Sequence, residues 1–191
     1  MTNKRLILAS NSPRRIALLK TLGYPFDVVP HNTEECVSHD VSPEDLAQRF
    51  ALQKAENVAR RVENAVIIGA DTIVLINHCI LGKLVDVSDA HRMLSMLSDA
   101  EHEVLTGVCL VETSSKKKSL RFGRTQIRMR CITGEEINAY VKSGEPMDKA
   151  GAYAIQGLGS RFIEKITGSY TNVVGLPLEL VKEMLNHFMN D

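Results

Sequence analysis

Short apolar runs alternate with capped helical segments along this chain, and this alternation limits the possible fold more than any other feature. The run Arg5–Ala9 predicts a buried strand, and Ser12-Pro13 directly after it predicts a helix with a serine cap and proline at its first position. Ser42-Pro43 repeats this signal before a second helix, which we expect to extend to about Val62. Strands that alternate with helices in this way are typical of α/β proteins.

The later segments continue the alternation and add an antiparallel portion. Thr133-Gly134-Glu135-Glu136 predicts a capping box at the start of a helix. Two long β-runs at 102–113 and 119–132 are joined by a lysine-rich turn, which predicts a hairpin. The remaining predicted elements are strands at 26–30, 65–70, 73–76 and 161–166, helices capped by Ser88 and opened by Pro177, and loops at 81–83 and 168–177. The whole pattern predicts the α/β class with a partly antiparallel sheet.

The composition argues against several classes of protein. The 23 basic and 23 acidic side chains among 191 residues cancel, so the net charge favours neither nucleic acid nor an anionic membrane as a partner. No apolar run approaches the length of a membrane span, and the first residues do not resemble a secretory leader. We therefore expect a single domain over residues 1–191, located in the cytoplasm, without a nucleic-acid or membrane partner.

Two adjacent arginines mark the start of the first helix. Arg14 and Arg15 follow the Ser12-Pro13 cap, although the positive end of the helix dipole disfavours cations there. Two such residues indicate a bound anion, for example a triphosphate that is held by the guanidinium groups. A solvated arginine pair beside an ordinary cap is an equally good interpretation of this stretch taken alone.

Carboxylates form a second group of candidates. Asp71 follows the apolar run 65–70, and ligands of open α/β sheets bind beyond such strand ends, so Asp71 could hold a divalent metal or orient a water. Glu34-Glu35 in a polar loop could supply a further oxygen, because Mg²⁺ prefers one or two carboxylates plus phosphate oxygens. The alternatives are an aspartate that caps a turn and a solvated acidic loop.

Lysines and one stretch of small residues complete the candidates. Lys54 in mid-helix and Lys83 after a glycine could each reach a phosphate, or could be plain surface lysines. The stretch DKAGAYAIQG at 148–157 contains small residues, which let a backbone approach a ligand closely. Its Tyr153 could stack on a base and its Gln156 could hydrogen-bond one, and the alternative is a tightly packed turn. Cations combined with carboxylates favour a metal-assisted phosphoryl-group enzyme.

Six segments, taken together, resemble the Maf family of nucleoside triphosphate pyrophosphatases. They cover nearly the whole chain, and their order and spacing are similar to those of the family. The segments are LASNSPRR at 8–15, QKA at 53–55, GADT at 69–72, LGK at 81–83, GEPMDKAGAYAIQG at 144–157 and GSYTNVVGLPL at 168–178. The family usually has proline after the Gly-Lys of the LGK segment, whereas this chain has Leu84, so we expect the Lys83 loop to be held less firmly.

The resemblance implies an α/β fold of the inosine-triphosphatase-like type, with an elongated, twisted mixed β-sheet flanked by helices and a deep cleft between two lobes. It implies metal-dependent hydrolysis of dTTP, UTP or modified pyrimidine nucleotides to the monophosphate and pyrophosphate, a house-cleaning role in the nucleotide pool. The 7-methyl-GTP branch carries a Ser-Phe pair and a Glu where this chain has Ala152-Tyr153 and Gln156, which favours the dTTP/UTP branch. The alternatives are a 7-methyl-GTP pyrophosphatase and a nucleotide-binding regulator of cell division and septum formation.

Carried over position by position, the resemblance also implies a role for each candidate residue. Asp71 is implied as the base, and Glu35 and Asp71 would hold a divalent metal cation, Mg²⁺ or Mn²⁺, and the attacking water. Lys54 and Lys83 would complete the catalytic group. The residues implied to bind the nucleoside triphosphate are Ser10, Ser12, Arg14, Arg15, Thr72, Lys149 and Gln156. The resemblance is compatible with a homodimer.

Overall fold

The structure is a computed structural model, and it describes residues 4–33 and 41–190. Within these ranges the chain forms seven strands, six α-helices and two 3-10 helices, the latter at Glu145–Asp148 and Gly157–Phe162. The strands are β1 (Arg5–Leu8), β2 (Asp27–Val28), β3 (Ala65–Ile76), β4 (Cys79–Leu81), β5 (Glu101–Glu112), β6 (Lys118–Met129) and β7 (Ile163–Thr167). The helices are α1 (Pro13–Lys20), α2 (Pro43–Ala59), α3 (Val87–Leu97), α4 (Gly134–Lys142), α5 (Tyr170–Val174) and α6 (Leu178–Asn190).

The strands form a mixed sheet in the order β2-β1-β3-β5-β6-β7, and β4 pairs with β3. β1 runs parallel to β2 and to β3, with Leu8 opposite Ile68. β4 is antiparallel to β3, and β7 is antiparallel to β6. The predicted α/β class and the mixed sheet with flanking helices are therefore confirmed.

Most predicted helix starts are confirmed by their caps. Ser12 caps α1 and Ser42 caps α2, each followed by proline. The capping box of α4 is complete, because Thr133 Oγ1 accepts the N–H of Glu136 at 3.2 Å and Glu136 Oε2 accepts the N–H of Thr133 at 3.0 Å. No helix among the described residues has both the length and the apolar character that crossing a membrane requires.

Two helix boundaries differ from those that the sequence predicts. The cap of α3 is Asp86 and not Ser88, because Asp86 Oδ1 accepts the N–H of Asp89 at 2.8 Å, which draws the helix start forward to Val87. The helix α2 ends at Ala59, before the predicted Val62, and Val62 packs against the core from outside the helix.

Three segments near the predicted site also differ. β3 is continuous from Ala65 to Ile76, so Asp71 lies within a strand and does not follow one. β1 pairs with residues 65–68 of this strand and β4 with residues 74–76, and β5 is the other neighbour of β3 in the sheet. The predicted loop at 168–177 contains the short helix α5. Directly before this helix, Ser169 Oγ accepts the N–H of Asn172 at 3.4 Å. The predicted strand at 161–166 begins only at Ile163, after a 3-10 helix.

The chain divides into two compact units, which are described separately. The first unit consists of the described residues in Met1–Asp71, Thr106–Gly123 and Gly175–Asp191. The second unit consists of Thr72–Leu105 and Arg124–Val174. The chain passes from one unit to the other within β3, β5 and β6, and once more between Val174 and Gly175. The single domain and the deep cleft that were expected from the sequence stay predictions.

In the first unit, apolar side chains cover both faces of the strands. Leu6 and Leu8 of β1 point to a cluster that includes residues of α1 and α6, for example Leu185. Ile7 and Ala9 belong to a second cluster with Ala51, Ala55 and Val58 of α2. Since successive strand residues point to opposite faces, this two-sided burial explains why these strands are almost continuously apolar.

Two glycines bring α2 into direct contact with the sheet. A Cβ added at Gly69 of β3 would overlap the carbonyl oxygen of Ala51 and lie 2.9 Å from Ala55 Cβ. A Cβ added at Gly107 of β5 would overlap the carbonyl oxygen of Ala47. The backbone of α2 therefore lies on the backbones of both strands, at a distance that only glycine permits.

The second unit has a core of its own. Its buried residues come from the later part of β3, from β6 and from α3 and α4, with Leu94, Leu97 and Tyr140 fully buried. Phe162 of the second 3-10 helix packs edge-on against Tyr140, with ring centroids 5.2 Å apart. This packing fixes the position of α4 relative to the segment that follows it.

Candidate active site

Ser10 and Ser12 shape the turn between β1 and α1 in the first unit. Ser12 stands before Pro13, and its Oγ accepts the N–H of Arg15 at 3.4 Å. Ser10 is only 1% exposed, and its Oγ accepts the N–H of Ser12 at 3.1 Å. The two hydroxyl groups therefore hold the backbone that leads into the arginine pair.

Arg14 and Arg15 are both half-buried. The Nε of Arg15 donates to the carbonyl oxygen of Gly175 at 2.7 Å, which links α1 to the segment before α6. Fixing Nε restricts rotation of the guanidinium group and so orders the planar fork that suits phosphate oxygens. This geometry favours the anion-binding interpretation over a solvated pair, and the binding of phosphate itself stays a prediction.

A buried ion pair joins α2 to β3. The Nζ of Lys54 bonds to Oδ1 of Asp71, and the two side chains are only 3% and 7% exposed. Lys54 lies one turn after Ala51 on α2, and Asp71 lies two residues after Gly69 on the same face of β3. The close approach of helix and strand at Gly69 therefore places the two charges against each other. The interpretation of Lys54 as a plain surface lysine is wrong.

Stability alone does not explain this pair. Desolvating two ions costs several kcal/mol, and an apolar pair of similar volume would usually be at least as stable. Asp71 is also the residue that the resemblance implies as the base, and charged groups held in the interior are frequent at functional sites. Chemistry is therefore the better explanation of why charges occupy this position.

The predicted metal ligands are Asp71 and Glu35, and Glu35 lies outside the described residues. In the part of the chain that the structure describes, no three His, Cys, Asp or Glu side chains form a group that could hold a metal ion. Mg²⁺ is commonly bound by one or two carboxylates together with substrate phosphates. Asp71 with one further carboxylate fits that donor set, so the metal stays a prediction that is compatible with these residues.

In the second unit, two of the predicted segments pair with each other. Lys83 forms an antiparallel bridge with Ala150, and the N–H of Gly151 donates to the carbonyl oxygen of Gly82 at 3.2 Å. The side chain of Lys83 is exposed. Leu84, which stands where the family usually has proline, packs against the core of this unit. The Lys83 loop is therefore held by backbone bonds and by Leu84, and the expectation that it is held less firmly than a loop with proline stays a prediction.

The other predicted binding residues of this unit have different environments. The Nζ of Lys149 donates to the carbonyl oxygen of Glu145 at 2.5 Å and forms an ion pair with Asp148. Thr72 is half-buried in β3. Gln156 is exposed just before the second 3-10 helix, where its side chain makes no capping hydrogen bond. The roles of these residues in binding a nucleotide stay predictions.

Tyr153 is buried and bonds to His102 of β5. The hydroxyl oxygen of Tyr153 lies 2.8 Å from His102 Nε2, and Tyr153 is 5% exposed. Burial lowers the pKa of His102 to about 4 and raises the pKa of Tyr153 above its usual range. The hypothesis that Tyr153 stacks on a base is therefore wrong, because the core of the second unit already surrounds its ring.

Sequence patterns did not single out Glu145, His102 or Asn172. The Nδ2 of Asn172 donates to the carbonyl oxygen of Val104 at 2.9 Å, and Glu145 bonds to residues more than ten positions away. Such contacts leave no short-range periodicity in a sequence. Glu145 and Asn172 do lie within two of the six segments that carry the resemblance. Their position as polar residues in such segments was the one signal that could have marked them as candidates.

Comparison with known proteins finds a matching family and several relatives of this chain. The family model described as "Maf-like protein" matches residues 5–188. A dTTP/UTP pyrophosphatase of Dictyoglomus turgidum is 49% identical over 186 residues, which cover 97% of this chain and 96% of that protein. The dTTP/UTP pyrophosphatase of Caldicellulosiruptor saccharolyticus is 46% identical over 186 residues, which cover 95% of this chain and 94% of that protein. A third, from Bdellovibrio bacteriovorus, is 45% identical over 188 residues, which cover 96% of this chain and 98% of that protein.

Proposed function

Because this chain belongs to the family of Maf-like proteins, we propose that it hydrolyses dTTP and UTP to the nucleoside monophosphate and pyrophosphate. Proteins named dTTP/UTP pyrophosphatase resemble this chain over nearly its full length. The observation that carries the proposal is the buried Lys54–Asp71 pair, since it holds the carboxylate that the resemblance implies as the base against an ammonium group in the interior. The place of action would be the cytoplasm, where the reaction would remove unwanted nucleotides from the pool.

The proposed reaction is an in-line displacement at the α-phosphorus. The oxygen of a water forms a bond to the phosphorus, Asp71 takes the proton of that water, and the bond from the phosphorus to the bridging oxygen of the β-phosphate breaks. Pyrophosphate leaves with the electron pair of the broken bond. Lys54 would hold the Asp71 carboxylate in place and offset the negative charge that develops on the leaving pyrophosphate.

The remaining predicted residues would bind the substrate. Arg14, Arg15 and Lys83 supply guanidinium and ammonium groups for the triphosphate, and Gln156 supplies an amide for the base. Ser10, Ser12, Thr72 and Lys149 complete the proposed binding residues. A divalent cation, Mg²⁺ or Mn²⁺, held by Asp71 and Glu35 would supply neutralisation of phosphate charge and a more acidic water.

A panel of nucleotides tests the proposal. The purified protein is incubated with Mg²⁺ and dTTP, UTP, CTP or 7-methyl-GTP, and monophosphate and pyrophosphate are measured. We expect both products from dTTP and UTP, and a preference for 7-methyl-GTP would assign the chain to the other branch. Absence of products from every nucleotide would contradict the proposed function.

Replacement of Asp71 tests the assigned base. Asp71→Asn should lower kcat for UTP by about 100-fold or more, because the amide cannot take up the proton. Asp99→Asn is the matched control, since Asp99 is exposed and paired with Arg128, and it should retain the activity of the unchanged protein. Near-normal pyrophosphate release by Asp71→Asn would remove Asp71 from this role.

A further inference from the structure

The carboxylate of Glu145 accepts three hydrogen bonds in the second unit. Oε2 accepts the N–H of Leu158 at 2.9 Å, and Oε1 accepts the N–H of Gly159 at 2.9 Å. Oε1 also accepts the hydroxyl hydrogen of Tyr140 at 2.9 Å. All three partners are donors, so an acceptor-only carboxylate suits this position and an amide does not.

Tyr140 links Glu145 to the backbone at Ala154 as well. Its hydroxyl oxygen accepts the N–H of Ala154 at 3.2 Å while its hydrogen is donated to Glu145. Tyr140 is fully buried, and its ring packs edge-on against Phe162. Both ends of the segment 154–159 are thus fastened to one pair, which consists of the buried Tyr140 and the half-buried Glu145.

Gln156 lies between the two fastened ends and differs from the residues before it. Ala152, Tyr153, Ala154 and Ile155 before it are buried, whereas Gln156 is exposed and makes no capping hydrogen bond. Burial alone would raise the pKa of Glu145, but the N–H groups of Leu158 and Gly159, the Tyr140 hydroxyl and the charge of Lys149 together hold this pKa below its usual range. The carboxylate therefore stays charged and the fastening persists at neutral pH.

We infer that Glu145 and Tyr140 are positioning residues for recognition of the base: they hold the segment 154–159 so that the amide of Gln156 meets the hydrogen-bonding edge of a pyrimidine. This inference deepens the proposed function and rests on the role that it gives to Gln156. An amide carries both a donor and an acceptor, and uracil and thymine present an N–H next to two carbonyl oxygens. A backbone that is held in advance spares the binding step the loss of conformational freedom.

The test compares a substrate that has a base with one that lacks it. kcat/KM is measured for UTP and for ribose 5-triphosphate in the unchanged protein, in Glu145→Gln, in Gln156→Ala and in the variant with both substitutions. Glu145→Gln and Gln156→Ala should each lower the ratio of the two kcat/KM values by about fivefold to tenfold, the effect of one hydrogen bond. The double variant should be no lower than Gln156→Ala alone, because both substitutions remove the same interaction.

Controls separate positioning from a purely structural effect. Glu136→Gln removes a different carboxylate, which lies in α4 and bonds to Arg130 and to the N–H of Thr133, and its ratio should equal that of the unchanged protein. Tyr140→Phe keeps the buried ring and removes only the hydroxyl group, so it replaces Glu145→Gln if that variant does not fold, and it should lower the ratio in the same direction. An unchanged ratio in Glu145→Gln or Tyr140→Phe, or independent effects that multiply in the double variant, would overturn the inference.

Binding measured without turnover distinguishes this inference from the proposed function. Kd values for UTP and ribose 5-triphosphate are determined by calorimetry in the same variants. Tighter binding of UTP that is lost in Glu145→Gln supports the inference, even if the unchanged protein releases no pyrophosphate and the proposed function fails. Equal Kd values for the two ligands in the unchanged protein would overturn the inference, even if UTP is hydrolysed.

Discussion

Three lysine side chains have three different environments in this protein. Lys54 is buried against Asp71, whereas Lys149 bonds to the carbonyl oxygen of Glu145 and to Asp148. Lys83 is exposed beside a backbone bridge to Ala150. Removal of the ammonium group should therefore disturb stability most at Lys54, where it leaves a charge behind in the interior.

The stability of the Lys54–Asp71 pair can be separated from its function. Lys54→Met should lower the free energy of unfolding by about 3–5 kcal/mol, because Asp71 is then a buried charge that has lost the ammonium group of Lys54. Lys54→Met combined with Asp71→Leu should recover most of that loss, because an apolar pair suits the interior, and should release no pyrophosphate from UTP. Urea unfolding, followed by circular dichroism, measures the first effect and a pyrophosphate assay the second.

The control for this prediction is Lys118→Met. Lys118 forms an exposed ion pair with Glu56, so its loss should change the free energy of unfolding by less than about 1 kcal/mol. If the double variant were as unstable as Lys54→Met alone, the ion pair would be a net source of stability and the argument for chemistry would lose its basis.

The arginine pair of α1 gives a second prediction at this scale. Arg14→Ala and Arg15→Ala should each lower kcat/KM for UTP by roughly 10-fold to 100-fold, the effect of losing a charge-assisted hydrogen bond. Arg92→Ala, which removes a surface ion pair with Asp89 on α3, should leave this value unchanged. Unchanged kcat/KM values in both α1 variants would restore the interpretation of a solvated pair.

At the scale of secondary-structure elements, the decisive contact is that of α2 with β3 and β5. Gly69 and Gly107 let the helix backbone lie on the strands, and the cap at Ser42 sets where the helix begins. Lys54 reaches Asp71 only because this distance is short. The position of one helix therefore determines the geometry of the predicted base.

Gly107→Ala tests the contact away from the ion pair. The added methyl group would overlap backbone atoms of α2 at Ala47 and Gln48, which cannot move independently, so we expect a loss of about 1–3 kcal/mol in the free energy of unfolding. Gly134→Ala is the matched control, because a Cβ there has no atom within 4 Å and lies at the start of α4. It should be neutral or stabilise by up to about 1 kcal/mol. Equal effects of the two substitutions in urea unfolding would contradict the close approach.

At the scale of the whole molecule, His102 should set the response of stability to mild acid. Burial lowers the pKa of His102 from 6.5 to about 4, so between these values the unfolded chain binds a proton that the folded protein does not. The free energy of unfolding should therefore fall by roughly 2–3 kcal/mol as the pH falls from about 6.5 to about 4, with no such contribution above this range. Urea unfolding at several pH values measures this slope.

Two histidine variants serve as the comparison. His102→Gln can still hydrogen-bond the hydroxyl of Tyr153 but does not titrate, so its stability should vary less over this pH range. His187→Gln, on the exposed face of α6, should follow the unchanged protein. A slope that persists in His102→Gln would show that other groups cause it.

Much of the fold could be predicted because its signals are local. The caps at Ser12, Ser42 and Thr133 depend on residues three positions apart, and each is present in the structure. The predicted break at Asp71-Thr72 is wrong because β3 lies between β1 and β5 in the sheet and also pairs with β4, and no local pattern reports a partner strand. At α3 the local signal itself was ambiguous, because Asp86 and Ser88 are two positions apart and each could have capped the helix.

The sequence by itself determined the α/β class, the order of most elements, their caps and the segments that identify the family. Only the tertiary structure decided which polar side chains are buried against which partners: Lys54 with Asp71, His102 with Tyr153, and Glu145 with the backbone at 158–159. The physical reason is the range of each interaction. A cap or an apolar period involves residues within a few positions, whereas burial and pairing depend on how closely elements from distant parts of the chain can pack.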